Sequence, residues 1–240
     1  MFETGESIAT IATDSEIATQ IAAIIKRGVL LDEKLVEQLV RISNLEESRL
    51  KQQREKDPES VQGMIATDLV DALLMASQLP QLVPSAANGK WAELGAGSAV
   101  TCIAMALCGR KVTGIERNPL LVKRAEQNKR EIETATSKVL DLNFVEGRIP
   151  EEPTNSVSPE LEKVLRESDV MYVYPWSHEW KNRVRLFQRY AKKGALLILY
   201  TKEEPVTFTV KEIEEMGLTP IKLPEGKDFG TLGLRLSNNS

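Results

Sequence analysis

The sequence predicts an α/β protein with a doubly wound, mostly parallel sheet, preceded by an all-helical N-terminal region. From residue 89 onwards, short apolar runs alternate with amphipathic helical segments, which is the pattern of a parallel sheet. A glycine-rich turn at residues 95–98 joins the first of these strands to the first of these helices. Before residue 85, the apolar residues recur at three- and four-residue steps, which indicates helices.

The N-terminal region, residues 1–85, is predicted to be helical from about residue 6 to residue 81. Asp32 is expected to cap its second helix. A third helix is expected over about residues 60–78, and Pro80 and Pro84 are expected to end it. This region carries no evident catalytic group, so the chemistry is expected further along the chain.

Residues 86–240 are predicted to form the sheet domain, with strands near residues 89–94, 111–116, 139–146, 169–174 and 195–201. Helices are expected between them, near residues 98–108, 119–133, 158–167 and 178–191. A short helix near residues 210–216 and two strands near residues 219–223 and 231–236 finish the chain. Strands separated by helices imply parallel pairing, so a ligand is expected beyond the carboxyl ends of the strands.

Composition disfavours several classes of function. The 240 residues are 42% hydrophobic, which is enough for a globular core. The net charge of −4 does not favour nucleic acid as a partner, and no apolar run approaches the ~20 residues of a membrane span. Cys102 and Cys108 are predicted on different faces of one helix, so neither a disulfide nor a metal site is expected. Because the N-terminus is acidic where a signal peptide would be basic, we expect a cytoplasmic protein.

The glycine turn has the features of a ligand site. Gly95 and Gly97 permit backbone angles and a close ligand approach that a side chain would forbid. Ser98 is expected to cap the following helix, whose N-terminus offers N–H groups to a nucleotide-like or carboxylate-bearing ligand. Val100 stands where the dinucleotide-binding pattern requires a third glycine, which disfavours NAD.

Two carboxylates are expected beside this turn. Glu93, two residues before the first glycine, would repel a pyrophosphate and attract an ammonium group. Glu116 lies 19 residues beyond Gly97, at the spacing where a carboxylate binds both hydroxyls of a ribose. A ligand with an amino acid at one end and a ribose at the other fits both acids.

The segment 93–98, followed by Gly114-Ile115-Glu116-Arg117-Asn118-Pro119, resembles the first two motifs of the class I (Rossmann-like) S-adenosylmethionine-dependent methyltransferases. The resemblance extends from about residue 86 to the end of the chain. It implies S-adenosyl-L-methionine as the cofactor, with the turn that contains Ala96 under its methionine and ribose portions. It also places Glu116 at the ribose and makes the adjacent Arg117 a candidate cofactor-binding residue. In this family an antiparallel hairpin ends the sheet, which gives a seven-stranded sheet here.

The resemblance also bears on the N-terminal region and on partners. Helical prefixes in this family resemble a lid over the active site or a dimerisation surface, so a homodimer through these helices is one expectation. Simple packing of the helices against the sheet is the other. The expected reaction is in-line transfer of the methyl group to a small-molecule or protein acceptor, with no nucleic acid and no membrane involved.

The loop after the third strand corresponds to the family loop that reads the adenine, often through an Asp that follows a glycine. Here Gly147 is followed by Arg148, so the adenine contact would come from backbone N–H groups or from Glu146. Gly147 and Arg148 are therefore candidate cofactor-binding residues. Ordinary loop residues are the alternative interpretation.

The loop after the fourth strand is positioned like the Asn/Asp-Pro-Pro-aromatic motif of amino methyltransferases. It keeps Pro175 and Trp176, but Tyr174 replaces the Asn or Asp, which puts nucleobase or glutamine amide methylation in doubt. Tyr174 is a candidate for donor contact and for catalysis, and Trp176 and Trp180 for stacking on a cationic or flat acceptor. Alternatively, Tyr172 and Trp180 belong to the core.

His178 is the only histidine in the chain and is the best candidate for a general base, with a reference pKa of ~6.5. A solvent-exposed or helix-capping histidine is the other interpretation. A single histidine without paired cysteines also argues against a metal-dependent enzyme.

Three alternatives remain for the function. The first is a protein lysine methyltransferase, because some lysine-methylating relatives have a Glu-x-Asn-Pro sequence similar to Glu116-Arg117-Asn118-Pro119. The second is a non-catalytic nucleotide-binding or assembly module that kept the fold. A nicotinamide oxidoreductase is the third, and the residues of the glycine turn disfavour it.

Overall fold

The structure is a computed structural model that describes residues 13–26, 29, 31–56, 69–150, 156–174, 180–200, 210–221 and 231–236. Over these ranges the chain forms nine helices and seven strands. The helices are α1 (Asp14–Lys26), α2 (Glu33–Lys56), α3 (Leu69–Leu82), α4 (Pro84–Ala87), α5 (Val100–Leu107), α6 (Pro119–Thr136), α7 (Pro159–Glu167), α8 (Trp180–Tyr190) and α9 (Val210–Glu215). The strands are β1 (Lys90–Leu94), β2 (Lys111–Glu116), β3 (Leu142–Glu146), β4 (Val170–Val173), β5 (Leu196–Tyr200), β6 (Leu218–Ile221) and β7 (Thr231–Leu236).

The helix signals of the N-terminal region are partly confirmed. Asp32 caps α2, because its Oδ1 accepts the backbone N–H of Lys34 at 2.9 Å. The prediction that Pro80 ends the third helix is wrong, since Pro80 lies inside α3. A proline costs the helix one backbone hydrogen bond, and burial of Leu79 and Val83 on either side holds this last turn in place. Pro84 begins the separate short helix α4.

The sheet has the strand order β3-β2-β1-β4-β5-β7-β6. Strands β1 to β5 pair in parallel, which confirms the predicted parallel α/β sheet. The order reverses between β1 and β4, and in such sheets ligands bind beyond the carboxyl ends of the strands at this point. At the other end of the order, β7 pairs antiparallel with both β5 and β6.

Side chains on the two faces of the sheet form two apolar layers. Alternate residues of a strand point to opposite faces, so Trp91 and Tyr172 join one core cluster, while Ala92 and Met171 join the other. The first layer contains buried residues of α1, α2, α3, α5 and α6. The second contains residues of α7, α8 and α9. The described part of the N-terminal region therefore shares one continuous core with the first face of the sheet.

None of the described helices combines the length and the apolar character that a membrane crossing requires.

Candidate functional site

The carboxyl edge of the parallel strands brings the predicted site residues into one row. The register pairs Leu94 of β1 with Ile115 of β2 and with Val173 of β4, and Val173 with Leu199 of β5. One residue further along these strands, in the order β2, β1, β4, β5, come Glu116, Gly95, Tyr174 and Tyr200. Two of the expected site residues, Glu116 and Tyr174, thus flank the glycine turn.

The glycine turn adopts a backbone path that favours glycine. Gly95 has a φ of 90° and Gly97 a φ of 55°, both in the left-handed region. The N–H groups of Gly95 and Ala96 each lie 2.9 Å from the carbonyl oxygen of Ile115, so the turn is tied to the end of β2. The prediction of a tight glycine turn between β1 and α5 is confirmed.

The expected cap at Ser98 is wrong. Helix α5 begins at Val100, and its N-cap residue is Ala99, with a φ of 69° and no side-chain cap hydrogen bond. The Ala99 N–H donates to the Ala96 carbonyl at 2.8 Å, which closes a further turn before the helix starts. Ser98 therefore lies inside the turn, where it is buried and too early in the chain to cap the helix.

Glu116 ends β2 and is held by two backbone N–H groups. Its Oε2 accepts the Gly97 N–H at 2.9 Å, and its Oε1 accepts the Asn118 N–H at 2.9 Å. The side chain is buried, so these bonds fix its orientation. Each carboxylate oxygen can accept a second hydrogen bond, which leaves acceptor capacity for two hydroxyl groups.

Glu93 is buried on the first face of the sheet, where its Oε2 lies 2.8 Å from the Cys102 Sγ, which donates to it. Burial raises the pKa of Glu93 to about 8, and the nearby Glu116 also raises it. Hydrogen bonds from Cys102 and Thr101 act in the opposite direction. Burial likewise raises the pKa of the Cys102 thiol, which keeps its proton and remains a donor.

These contacts give Glu93 a different environment from the one that the sequence predicts. It packs against the start of α5 and is largely protonated near neutral pH in the absence of a cationic partner. Sequence patterns do not predict Cys102 as a site residue, although its position one helical turn after the glycine turn places it beside the preceding strand.

Asn128 of α6 is a second residue that sequence reasoning missed. Its Nδ2 donates to the carbonyl oxygen of Ser98 at 3.0 Å, and its side chain is fully buried. Within the described part of the chain, its Oδ1 has no hydrogen-bond partner. Because Ser98 belongs to the glycine turn, Asn128 supports this turn from α6.

The loop after β3 approaches Glu116 through its backbone. The Gly147 N–H donates to the Glu116 carbonyl oxygen at 2.9 Å, which continues the pairing of β2 and β3 by one residue. Gly147 is half-buried, whereas Arg148 and Arg117 are exposed. The structure brings all three to the same edge as Glu116, and their contact with a cofactor stays a prediction.

The aromatic residues in and after β4 pack on both faces of the sheet. Tyr172 is buried, which confirms it as a core residue, and the half-buried Tyr174 packs against the first core cluster. Trp180 packs against the second cluster, on the opposite face of the sheet from the cluster that Tyr174 contacts. Trp176 and His178 lie outside the described residues, so their placing at the site stays a prediction.

No group of three or more His, Cys, Asp or Glu side chains able to hold a metal ion occurs among the residues that the structure describes.

Comparisons with known proteins bear on the fold. No protein-family model matches the chain, and no curated protein matches it. Similar solved structures include an RNA methyltransferase from Salinibacter ruber in complex with S-adenosyl-L-homocysteine, at 16% identity and a TM-score of 0.45, covering 73% of this chain and 96% of that one. Precorrin-6y C5,15-methyltransferase from Geobacter metallireducens has 16% identity and a TM-score of 0.44, and the match covers 72% of this chain and 94% of that one.

A mutant of MtNAS in complex with S-adenosylmethionine has 15% identity and a TM-score of 0.48, covering 93% of this chain and 79% of that one. These identities describe a likeness of fold alone. The strand order and the glycine turn place the chain in the class of doubly wound, Rossmann-like α/β proteins.

Proposed function

We propose that this chain is a class I S-adenosylmethionine-dependent methyltransferase. One observation carries the proposal: Glu116 is fixed by the N–H groups of Gly97 and Asn118 directly beside the glycine turn, with acceptor capacity left for two hydroxyls. A ribose offers two such hydroxyls. The antiparallel pair β6 and β7, which completes a seven-stranded sheet, agrees with the family layout that the sequence resembles.

The residues around Glu116 fit the rest of the donor. Glu93 is the acidic group on the β1 side, where the amino group of the methionine portion would pair with it. The turn residues Gly95 to Ser98 would lie under the methionine and ribose portions. On the β3 side, the loop of Gly147 and Arg148 would border the adenine, with Arg117 beside the ribose.

The proposed chemistry asks the protein mainly to orient its two substrates. S-adenosylmethionine, when bound, supplies a methyl group already activated by the positively charged sulfur. Positioning an acceptor in line with this methyl and excluding water can supply roughly 7–11 kcal/mol of the barrier. The buried carboxylates would hold the donor, and Tyr174 with the loop that follows would hold the acceptor.

The acceptor side of the proposal rests on the loop after β4. Tyr174 would contact both donor and acceptor, with Trp176 and Trp180 as candidate acceptor-binding residues. His178 would remove a proton from the acceptor where the chemistry requires it. The proposed acceptor is a small molecule or a protein side chain, including lysine as the specific alternative.

The first test is calorimetric titration of the purified protein with S-adenosylmethionine, S-adenosylhomocysteine and NAD. We expect micromolar binding of the first two and none of the third. Binding of NAD in place of the other two would overturn the proposal, and failure of all three would favour a module that kept the fold without the ligand.

The second test separates an enzyme from a binding module. The protein would be incubated with methyl-labelled donor and a cell extract that has been split into small-molecule and protein fractions, and the label would be located by mass spectrometry. Label in one fraction, lost when Glu116→Ala replaces the wild type, supports the proposal and assigns the acceptor class. Donor binding without transfer to either fraction contradicts the enzymatic part.

A further inference from the structure

A buried hydrogen bond joins the N-terminal region to the carboxyl edge of the sheet. The Tyr200 hydroxyl at the end of β5 donates to Oδ2 of Asp71 in α3, with 2.5 Å between the two oxygens. Asp71 is 6% exposed and Tyr200 is 3% exposed, so this bond is shielded from water. A buried bond to a charged or acidic group is among the stronger side-chain contacts, and it fixes the direction of the Tyr200 ring.

Tyr200 in turn supports Tyr174. The two ring centroids lie 5.3 Å apart with the planes tilted by 53°, which is a favourable arrangement of aromatic rings. The ring centroid of Tyr172, two residues earlier in the same strand direction as Tyr174, lies 6.3 Å from that of Tyr200. Tyr200 is therefore held by Asp71 and Tyr172, and it limits the positions that the half-buried Tyr174 ring can take.

Tyr174 lies at the point of the sheet edge where the sulfur of the donor is expected. Neighbouring strands lie about 5 Å apart, so the row Glu116, Gly95, Tyr174 and Tyr200 advances by about 5 Å at each step. If the ribose binds at Glu116 and the turn at Gly95 lies under the ribose and methionine, the methyl-bearing sulfur lies on the β4 side. This step rests on the proposed function.

We propose that Asp71 and Tyr200 are positioning residues that hold the Tyr174 ring against the positively charged sulfur of the donor. Helix α3 of the N-terminal region is then a functional part of the donor site. The face of an aromatic ring attracts a cation, and it has no comparable attraction for the neutral thioether of the demethylated product. The held ring therefore favours S-adenosylmethionine over S-adenosylhomocysteine, which assists product release after transfer.

The test compares the dissociation constants of the two ligands in isosteric variants. Tyr200→Phe keeps the ring and removes the hydroxyl, and Asp71→Asn keeps the shape of the side chain and removes its charge. In each variant we expect affinity for S-adenosylmethionine to fall about three- to tenfold more than affinity for S-adenosylhomocysteine. Equal losses for both ligands, or no loss, in a folded variant would overturn the proposal.

The control is Tyr190→Phe, which removes one phenol oxygen from a buried tyrosine of α8 in the second core cluster. It is expected to leave the ratio of the two dissociation constants unchanged. Circular dichroism and thermal unfolding would establish which variants fold. If Asp71→Asn fails to fold, Tyr200→Phe alone decides the question, because its smaller change leaves the packing of the ring in place.

A double variant checks that the two residues act through one bond. Because Asp71→Asn weakens the hydrogen bond that Tyr200→Phe removes, the change in the ratio for the double variant should be no larger than for Tyr200→Phe alone. Additive changes would contradict a shared role. If the wild type binds neither ligand, the proposed function fails; if it binds both and the variants keep the wild-type ratio, only the role of Asp71 and Tyr200 fails.

Discussion

The Glu116 carboxylate and the Gly97 N–H are joined by a hydrogen bond of 2.9 Å across the gap between β2 and the glycine turn. One side chain therefore sets the shape of the turn and supplies the proposed ribose contact. A backbone donor at Asn118 holds the other oxygen, so the carboxylate has little freedom to rotate. The site is thus built before any ligand binds, which reduces the entropy that binding would cost.

Replacement of Glu116 tests this double role. We expect Glu116→Ala to weaken S-adenosylmethionine binding by about 1.5–3 kcal/mol, because it removes charge-assisted contacts to the ribose and leaves the Gly97 N–H without its acceptor. Calorimetry would measure the affinity and urea denaturation the stability. The matched control is Glu131→Ala, an exposed carboxylate of α6. Unchanged affinity in a folded Glu116→Ala protein would remove the ribose role.

The raised pKa of Glu93 makes stability depend on pH. The folded protein holds the proton up to about pH 8, whereas the unfolded chain loses it near the ordinary glutamate pKa of 4.5. Between these values the folded state binds more protons, so this residue stabilises the fold below 4.5 and the contribution falls as pH rises towards 8.

Glu93→Gln has no ionisable proton at this position, so its stability should not fall with rising pH for this reason. We expect its free energy of unfolding to rise relative to the wild type by on the order of 1 kcal/mol per pH unit within that window. Denaturant titrations across the window would measure the difference. Glu214→Gln, on the exposed side of α9, corrects for the loss of one carboxylate. A difference that does not change with pH would contradict burial of an ionisable Glu93.

Donor binding is expected to release the proton that Glu93 carries in the free protein. If the donor's ammonium group pairs with Glu93, this residue must become a carboxylate, so binding at about pH 7 is expected to release close to one proton. Affinity should then increase between about pH 6 and about pH 7.5. Calorimetry in phosphate and in Tris would show the release as a buffer-dependent enthalpy. Glu93→Gln should abolish both the buffer dependence of the binding enthalpy and the pH dependence of the affinity. If the wild-type protein shows neither dependence, the ammonium group does not pair with Glu93.

Gly114 in the middle of β2 has no room for a side chain. A Cβ there would lie 2.8 Å from the Phe144 ring and 2.9 Å from both the Ala96 Cβ and the Cys102 Sγ. Gly114→Ala is expected to lower the free energy of unfolding by about 1–3 kcal/mol, because the neighbours are held by the sheet and the turn. At Gly147 the nearest atom would be 3.7 Å away, so Gly147→Ala is expected to cost nothing or to stabilise by up to about 1 kcal/mol. If Gly114→Ala has the same free energy of unfolding as the wild type, the neighbouring side chains must shift to make room for the added methyl group.

Sequence reasoning reached the local part of the site and missed the part made by tertiary packing. The glycine turn and Glu116 belong to one strand, turn, helix and strand unit, so their spacing reveals their relation. Asn128 and Asp71 lack such a signal, because their partners lie 30 and 129 residues away in the chain. The expected Ser98 cap failed for a different reason. The left-handed Ala99 delays the helix, and alanine is not a residue type that predicts this conformation.

Asn128 offers a test of how far α6 controls the turn. Asn128→Leu keeps most of the volume but leaves the buried Ser98 carbonyl without its donor, while it also removes an Oδ1 that has no partner among the described residues. These two effects oppose each other in stability, so we expect a change of about 1 kcal/mol or less.

Asn128→Leu is expected to weaken donor binding, because removal of an Oδ1 without a partner in the described part of the chain offsets only the loss of stability. A turn that has lost its contact to α6 directs its N–H groups less firmly, so S-adenosylmethionine affinity should fall by about 1 kcal/mol or more. Calorimetry beside urea denaturation would separate the two quantities, with Gln127→Leu at the neighbouring exposed position of α6 as the control. Wild-type affinity in Asn128→Leu would mean that the bonds of Gly95, Ala96 and Gly97 to β2 hold the turn by themselves.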